Sequence, residues 1–437
     1  MPRLHFLTAI SVTLWLSSNA ISQETYLLKE SFEVGTAYRV ATRSQLSGSI
    51  TIPVGEGKPA KTVPIRGLCT TNYSEEILPD DKKIAERRTL RIYETIDFRK
   101  AVADVDQSMR LRPAIKQMVF LEKEGKRLPF SPAAPLTWNE IEFLRTETFV
   151  PALMGLLPGK EVKVLDTWKL PSETARDLTD LEKVEDNNLI GRFVQVTTLN
   201  GRQVGELSLS GSARGVNEDG PTKHTLKGSV FFDLQSKVIT YVSILGEQHL
   251  FDSKGEINGK LEGRFVLTRE PREAFSLRKI AAVSASDILP NESNTRLLYE
   301  IPELGFSFQY PRRWHINQTR GRQITVDEPG GSGVLFTIDP MAKLPSAERY
   351  QKEVSDFFRD RKVPIRVVNP IHKFTEFANA ARFTLEVQES NARPTLDYYV
   401  IAGRSYGATV AGRIVGADSD ALRKDVETMV RTIKFKD

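Results

Sequence analysis

Leu189-Ile190-Gly191-Arg192-Phe193-Val194-Gln195-Val196-Thr197-Thr198-Leu199-Asn200-Gly201-Arg202-Gln203-Val204-Gly205-Glu206-Leu207-Ser208-Leu209 is the stretch whose pattern decides the fold class. Phe193, Val194 and Val196 run into Asn200-Gly201, and Val204, Leu207 and Leu209 follow. Asn-Gly between two strand patterns is a strong hairpin signal, because a type I′ turn needs positive φ at both central residues. The same texture extends outward in both directions. Further strand patterns occupy Leu226 to Leu234, Val238 to Leu245, Gln248 to Phe251 and Leu261 to Leu267, punctuated by Gly246, Gly255 and Gly259. From about Glu24 to Arg269 the chain therefore reads as an antiparallel meander.

One helical interlude interrupts it. Thr137 and Glu140 have the spacing of a capping box, and Ile141, Leu144 and Phe149 supply an apolar face. Phe149 to Leu157 continues as a short apolar segment stopped by Pro158 and Gly159, and Ser172 is expected to cap a second helix through Leu178 and Leu181.

Small, polar and helix-breaking residues dominate from Glu270 to Asn294, which reads as a linker. The remainder changes character. Strand patterns at Phe306 to Tyr310, Ile324 to Val326 and Val334 to Ile338 precede a helix capped by Ser346 and carrying Tyr350, Val354, Phe357 and Phe358. More strands follow at Ile365 to Val368, Ala381 to Val387, Leu396 to Ala402 and Tyr406 to Val410. A last helix opens near Asp418 or Ser419 and buries Leu422, Val426, Met429, Val430 and Ile433. The expected division is 1–22 signal peptide, 23–269 β-rich domain, 270–295 linker and 296–437 α+β domain. The fold class is α+β: an antiparallel β-rich domain with a small helical insertion, then helices covering an antiparallel sheet.

The signal-peptide expectation rests on Arg3, an eleven-residue, mostly apolar run from Phe6 to Leu16, and the small or polar Ser17, Ser18, Asn19 and Ala20. Cleavage before Ile21 or Gln23 fits the small side chains there. Beyond it no run approaches the ~20 apolar residues of a membrane helix, so no membrane span is expected. The expected location is secreted or periplasmic. Cys69 is the single cysteine among 437 residues, so no disulfide within the chain supports the fold. The strand-like segment around it favours a small buried side chain over a nucleophile.

Charge is modest and uneven. From Arg296 onward 22 Lys and Arg face 18 Asp and Glu, against 39 and 38 before it. Arg312, Arg313, Arg320 and Arg322 form the nearest thing to a basic cluster, read as a solvated loop and strand edge rather than an anion site. No interleaved aromatics accompany it, and nucleic acid is not an expected partner.

Catalytic motifs fail on spacing. His224, His249, His315 and His372 are scattered, without the clustering a metal needs. Asp252 to Gly259 looks superficially like a calcium loop, but Ile257 stands where the bend requires glycine, and a hairpin turn fits better. In Gly211-Ser212-Ala213-Arg214-Gly215 the serine adjoins the first glycine, unlike a nucleophile elbow. Gly330-Gly331-Ser332-Gly333 reads as a turn, not a phosphate loop. Sequons at Asn72, Asn291 and Asn317 matter only in a glycosylating host. No catalytic, cofactor-binding or metal-ligating residue is singled out, no cofactor is expected, and the chain is expected not to be an enzyme.

Leu304-Gly305-Phe306-Ser307-Phe308-Gln309-Tyr310-Pro311-Arg312-Arg313-Trp314 is an aromatic strand ended by Tyr-Pro, with a tryptophan close behind. It resembles the opening of PsbP-like domains, and the resemblance covers about the last third of the chain. It implies an α/β/α sandwich on an antiparallel sheet, a protein-binding or accessory role, and no shared catalytic residues. The earlier region is similar to uncharacterised secreted bacterial proteins in Leu157-Pro158-Gly159-Lys160-Glu161-Val162, Leu165-Asp166-Thr167-Trp168 and Gly228-Ser229-Val230-Phe231-Phe232-Asp233. Those proteins carry Gly-Asp-Thr-Trp where this chain has Leu165, which argues against a tight turn there. Two readings of function follow. The first is a non-catalytic exported module whose partner is another exported protein. The alternative is a carrier of an apolar ligand or lipid between the β sheet and the helix at Thr137 to Thr146, lined by Phe143, Phe149, Leu153, Met154 and Leu156.

Overall fold

Alternating apolar and polar residues with Gly- and Asn-bearing turns produce a mostly β protein built from several antiparallel sheets. The computed structural model describes residues 24–52, 59–79, 86–103, 105–123, 126–145, 149–272, 282–284, 286, 288–374, 380–388, 394–416 and 418–436. The expected signal peptide and the middle of the expected linker lie outside them.

The larger sheet runs, edge to edge, through Thr167–Lys169, Ile190–Leu199, Arg202–Asn217, Gly220–Asp233, Val238–Phe251, Ile257–Arg272, Ala37–Ile52, Lys61–Leu78, Glu86–Val102, Gln117–Lys123 and Lys126–Phe130. Strands adjacent in this order follow chain order except at one seam, where Ile257–Arg272 pairs from Gly259 to Arg272 with Ala37–Ile52. The hairpin expected at Asn200-Gly201 is present, with φ of 50° and 78° at the two residues. The final strand reaches Arg272, past the last strand residue expected from the pattern. Pro271 is tolerated there because pairing with Val238–Phe251 has already ended at Thr268, so its missing N–H interrupts no ladder on that side.

The two faces of this sheet have different fates. Leu78, Leu90, Val119, Leu121 and Phe130 pack on the outer face with Ile288 of the connecting segment. The inner face carries Val40, Cys69, Tyr73, Leu226, Val230, Val242 and Leu267 and packs against the helical insertion.

A turn at Leu165 survives the absence of glycine, contrary to the sequence expectation. Leu165 adopts φ of 77°, its N–H donates to Phe193 O at 2.7 Å, and Asp166 Oδ2 accepts from Lys163 N–H at 2.8 Å. These bonds impose a left-handed backbone on a branched side chain, at a cost of roughly 1–2 kcal/mol. The Leu165 side chain is 57% exposed, so little packing compensates. Leu165→Gly is expected to stabilise the protein by about 0.5–1 kcal/mol, the relieved strain exceeding glycine's extra unfolded entropy. Urea denaturation of both proteins tests this, and an unchanged or lowered midpoint contradicts it.

In the last third, seven antiparallel strands form a sheet in the order His315–Arg320, Gln323–Asp327, Gly333–Pro340, Tyr406–Ile414, Thr395–Ala402, Ala380–Val387 and Ile365–Phe374. Helix Ala347–Asp360 begins at Ser346, whose side chain accepts from Arg349 N–H. Its Tyr350 meets Phe383 and Tyr398 on one face. Helix Ser419–Arg431 covers the other face, where Val426 lies against Gly412 and Met429 and Val430 are buried. Trp314 is fully buried, its Nε1–H donating to Asp425 Oδ2 at 2.8 Å.

A small third sheet joins the two regions. Leu297–Ile301 pairs antiparallel with Phe306–Tyr310 and parallel with Leu136–Thr137, the strand that leads directly into helix Trp138–Arg145.

Candidate functional site

The capping box fixes the roof of the site. Glu140 accepts from Thr137 N–H at 2.8 Å, and Thr137 Oγ1 accepts from Glu140 N–H at 3.2 Å. Arg112 adds its Nε and Nη2 to the same carboxylate at 3.0 and 2.7 Å. Burial pushes the Glu140 carboxyl up, but these hydrogen bonds outweigh it and hold the pKa below the ordinary value. Phe143 on this helix meets Phe98 of the sheet edge-on at 5.4 Å. Ser172–Thr179, the second expected helix, is present, with Pro171 rather than Ser172 at the N-cap. It is tied to the strand Lys126–Phe130 by Arg127–Asp177 at 2.5 Å. Between the two lies a 3₁₀ helix, Val150–Leu156, whose Leu156 O accepts from Trp168 Nε1–H at 3.1 Å.

Beneath these helices the inner face of the sheet leaves a cavity of about 1060 Å³. Register explains the space. One row across the strands carries Leu226, Gly246, Gly263, Leu46, Gly67 and Lys100 in succession, so three of six neighbouring positions have no side chain. A Cβ at Gly263 would come no nearer than 3.6 Å to its surroundings, an ordinary contact. Cys69, Phe98, Phe149, Leu178, Ile244 and Phe265 add apolar wall. Leu46 is 37% exposed within it, and Phe98 and Phe265 are only half-buried, so apolar surface is left uncovered by the protein's own core. Charged residues share the wall: Arg91, Lys100, Arg127, Arg176 and Arg264 with Asp177, Asp180, Glu182 and Glu247, of which Arg91 is buried and Asp180, Glu182 and Arg264 are exposed.

Of the lining residues expected from the sequence, Phe149 stands on the wall. Phe143, Leu153 and Leu156 are fully buried core beneath the roof, and Met154 receives Arg87 Nη1 at 3.4 Å away from the wall. Sequence reading missed the glycine row and weighed His224 only as a metal ligand, not as part of a wall. The available signal was parity: Thr222, His224 and Leu226 occupy the inward positions of one strand.

The other residues weighed for chemistry are dispersed. His249 pairs with Glu247 at 3.1 Å, His315 stacks edge-on with Trp138, and His372 with Phe374. Among the described residues no group of three or more His, Cys, Asp or Glu has the arrangement of a metal site. Asp252 Oδ1 accepts from Lys254 and Glu256 N–H in a hairpin turn. Ser212 lies within the strand Arg202–Asn217, and Gly331, at φ of 94°, turns between Gln323–Asp327 and Gly333–Pro340. The arginine cluster is not simply a solvated edge. Arg312 is half-buried and donates to Thr295 O and Pro129 O at 2.7 and 2.5 Å, stitching the two regions together, while Arg313 pairs with Asp425. No helix among the described residues is long and apolar enough to cross a membrane.

No protein-family model matches the chain, and no curated protein matches it. Solved structures do show likeness. Cyanobacterial PsbP from Synechocystis sp. PCC 6803 aligns over 32% of this chain and 92% of its own at 10% identity and a TM-score of 0.27. Lipovitellin aligns over 56% of this chain and 26% of its own at 13% identity and a TM-score of 0.28. A chain of the Pseudomonas aeruginosa MucA/MucB complex aligns over 91% of this chain and 94% of its own at 9% identity and a TM-score of 0.18.

Proposed function

We propose that the chain is a non-catalytic exported protein that carries an apolar or lipid-like ligand in the cavity between the inner sheet face and the helical insertion. The observation that supports this most directly is the cavity itself, about 1060 Å³ with Leu46, Phe98 and Phe265 left partly uncovered. Sites for small organic ligands span ~300–1,000 Å³, and this space is of about that size, its apolar side chains sharing the wall with charged ones that include Arg91, Lys100, Arg127 and Glu247. The roof is pinned by Glu140–Arg112 and Arg127–Asp177, which supports a space that stands ready without the ligand.

Native mass spectrometry of the protein recovered from its host's exported fraction tests the reading. A discrete small-molecule adduct is expected. Gly263→Trp is expected to remove the adduct at an unchanged melting temperature, because an indole there fills the space without displacing backbone. Cys69 supplies a second readout: occupancy should slow its alkylation by an apolar maleimide. An adduct indifferent to Gly263→Trp, or none at all, overturns the carrier reading.

One feature favours a second reading, docking of another exported protein. Ile365–Phe374 is an edge strand among the described residues, and its Val367 and Val368 are 50% and 43% exposed. Such an edge accepts an added strand. A stable protein complex in the same spectrum, lost on Val367→Lys, is the result this reading expects.

A further inference from the structure

Lys100 closes the glycine row, directly opposite Gly67 and half-buried on the cavity wall. Directly paired residues of antiparallel strands share a face, so its side chain stands over the same floor as Leu46 and Gly263. The other cations of the wall are engaged or turned away. Arg91 reaches Glu75 at 3.3 Å, and Arg127 reaches Asp177 at 2.5 Å. Burial pushes the Glu122 carboxyl up while Arg127 and Arg176 pull it back, so Arg176 already acts on an acid of the protein. Arg264 is exposed and pairs in register with Leu245 and Gln45, on the face opposite Gly263. Lys100 is different: among the described residues no carboxylate pairs with its Nζ. The acids of the wall lie elsewhere. Glu247 is held by Lys260 at 2.9 Å, and Glu182 N–H donates to Val216 O, on the strand beyond the far end of the row. An ammonium partly withdrawn from water beside Phe98, Leu46 and Gly67 calls for a counter-charge, and the protein supplies none.

We propose that Lys100 anchors the head of the ligand in this cavity, its Nζ pairing with the carboxylate of a long-chain fatty acid whose tail lies along the Gly67–Gly263–Gly246 row. Between Lys100 and Leu226 that row holds three glycines and Leu46. At ~4.8 Å per strand the floor runs about 24 Å along the sheet, enough for a long acyl chain. One ammonium balances one negative charge, which a carboxylate carries. A phosphate monoester brings about −1.5 to −2 at pH 7 and would leave charge uncompensated against the apolar wall. The assignment rests on the carrier reading, and it adds which head group is selected and by which atom.

The test uses the full chain and displacement of Nile red by oleate, monoolein and oleyl phosphate, with Lys100→Met, Lys100→Arg, Arg99→Met and Gly263→Trp beside the wild type. Oleate is expected to displace the dye at lower concentration than monoolein or oleyl phosphate. Lys100→Met should weaken oleate about tenfold, the equivalent of one charge-assisted hydrogen bond, while leaving monoolein unchanged. Lys100→Arg should keep most of the oleate affinity. Arg99→Met removes the same charge from the opposite face of the strand, where Arg99 pairs with Asp97, and should leave oleate unchanged. Equal oleate affinity in wild type and Lys100→Met overturns the role of Lys100, as does an equal loss in Arg99→Met or a preference for monoolein. Tighter binding of oleyl phosphate overturns the choice of carboxylate. All of these leave the carrier reading standing if Gly263→Trp abolishes dye binding. Dye binding that survives Gly263→Trp, or Gly263→Leu should the tryptophan variant not fold, overturns the carrier reading itself.

Discussion

Replacing Arg269 with methionine is expected to lower the stability of the β-rich region by about 3–5 kcal/mol at neutral pH, the usual penalty for stranding one member of a buried ion pair. Glu30 and Arg269 are 2% and 3% exposed and hydrogen-bonded to each other, and Glu30 also accepts from Ile239 N–H at 3.1 Å. The guanidinium lies 5.3 and 5.1 Å from the Phe32 and Tyr38 ring centres. Burial pushes the Glu30 carboxyl up, and Arg269 and the Ile239 amide pull it back only in part. Without Arg269 the folded-state pKa rises further above its unfolded value. A raised carboxyl contributes its stability fully below the unfolded pKa and loses it as pH rises through the folded one. The variant should therefore recover toward the wild type as pH falls from 7 toward 5, and Arg269→Met combined with Glu30→Gln should recover most of the loss at pH 7. Denaturant midpoints at the two pH values decide it: a pH-independent loss removes the stranded carboxylate as the cause.

The second large effect comes from His224 in the absence of ligand. Its pKa falls from 6.5 to about 4 in the folded protein because burial disfavours the charged ring. A depressed group contributes stability present above the unfolded pKa and lost as pH falls toward the folded one. Between pH 6.5 and 4 the wild type should lose about 3 kcal/mol relative to His224→Leu, with the difference levelling off below pH 4. Parallel stability curves for the two proteins across that window contradict a buried neutral imidazole.

What was legible in the sequence was local. Asn200-Gly201 fixes its turn through two backbone angles, Thr137 with Glu140 closes a cap within one helical turn, and Ser346 caps its helix with one hydroxyl. Each signal is complete within a few residues. The cavity was not legible in this way, because it exists only after register places Gly246 against Gly263 and Leu46 against Gly67. No single strand shows that its glycine faces another strand's glycine. Likewise Leu136–Thr137 pairs with Leu297–Ile301 across a long separation that no short-range pattern encodes. Leu165 shows the converse: the turn persists without its glycine because bonds to Phe193 and Lys163 impose it from outside.

The seam between Ala37–Ile52 and Ile257–Arg272 has a consequence for the order of folding. Most of the meander can zip up hairpin by hairpin as it leaves the ribosome, since most neighbours follow within a short loop. Ala37–Ile52 is the exception: one edge meets Lys61–Leu78 at once, while the other waits until the chain past Ile257 has been made. The Glu30–Arg269 bond, 239 residues apart in sequence, fastens the same join. Closing so long a loop costs entropy that no local contact offsets, which makes the join the slow, late event of folding. Until then an unpaired strand edge stands open to other chains, and a chaperone that shields Ala37–Ile52 would act at the molecule's most exposed moment.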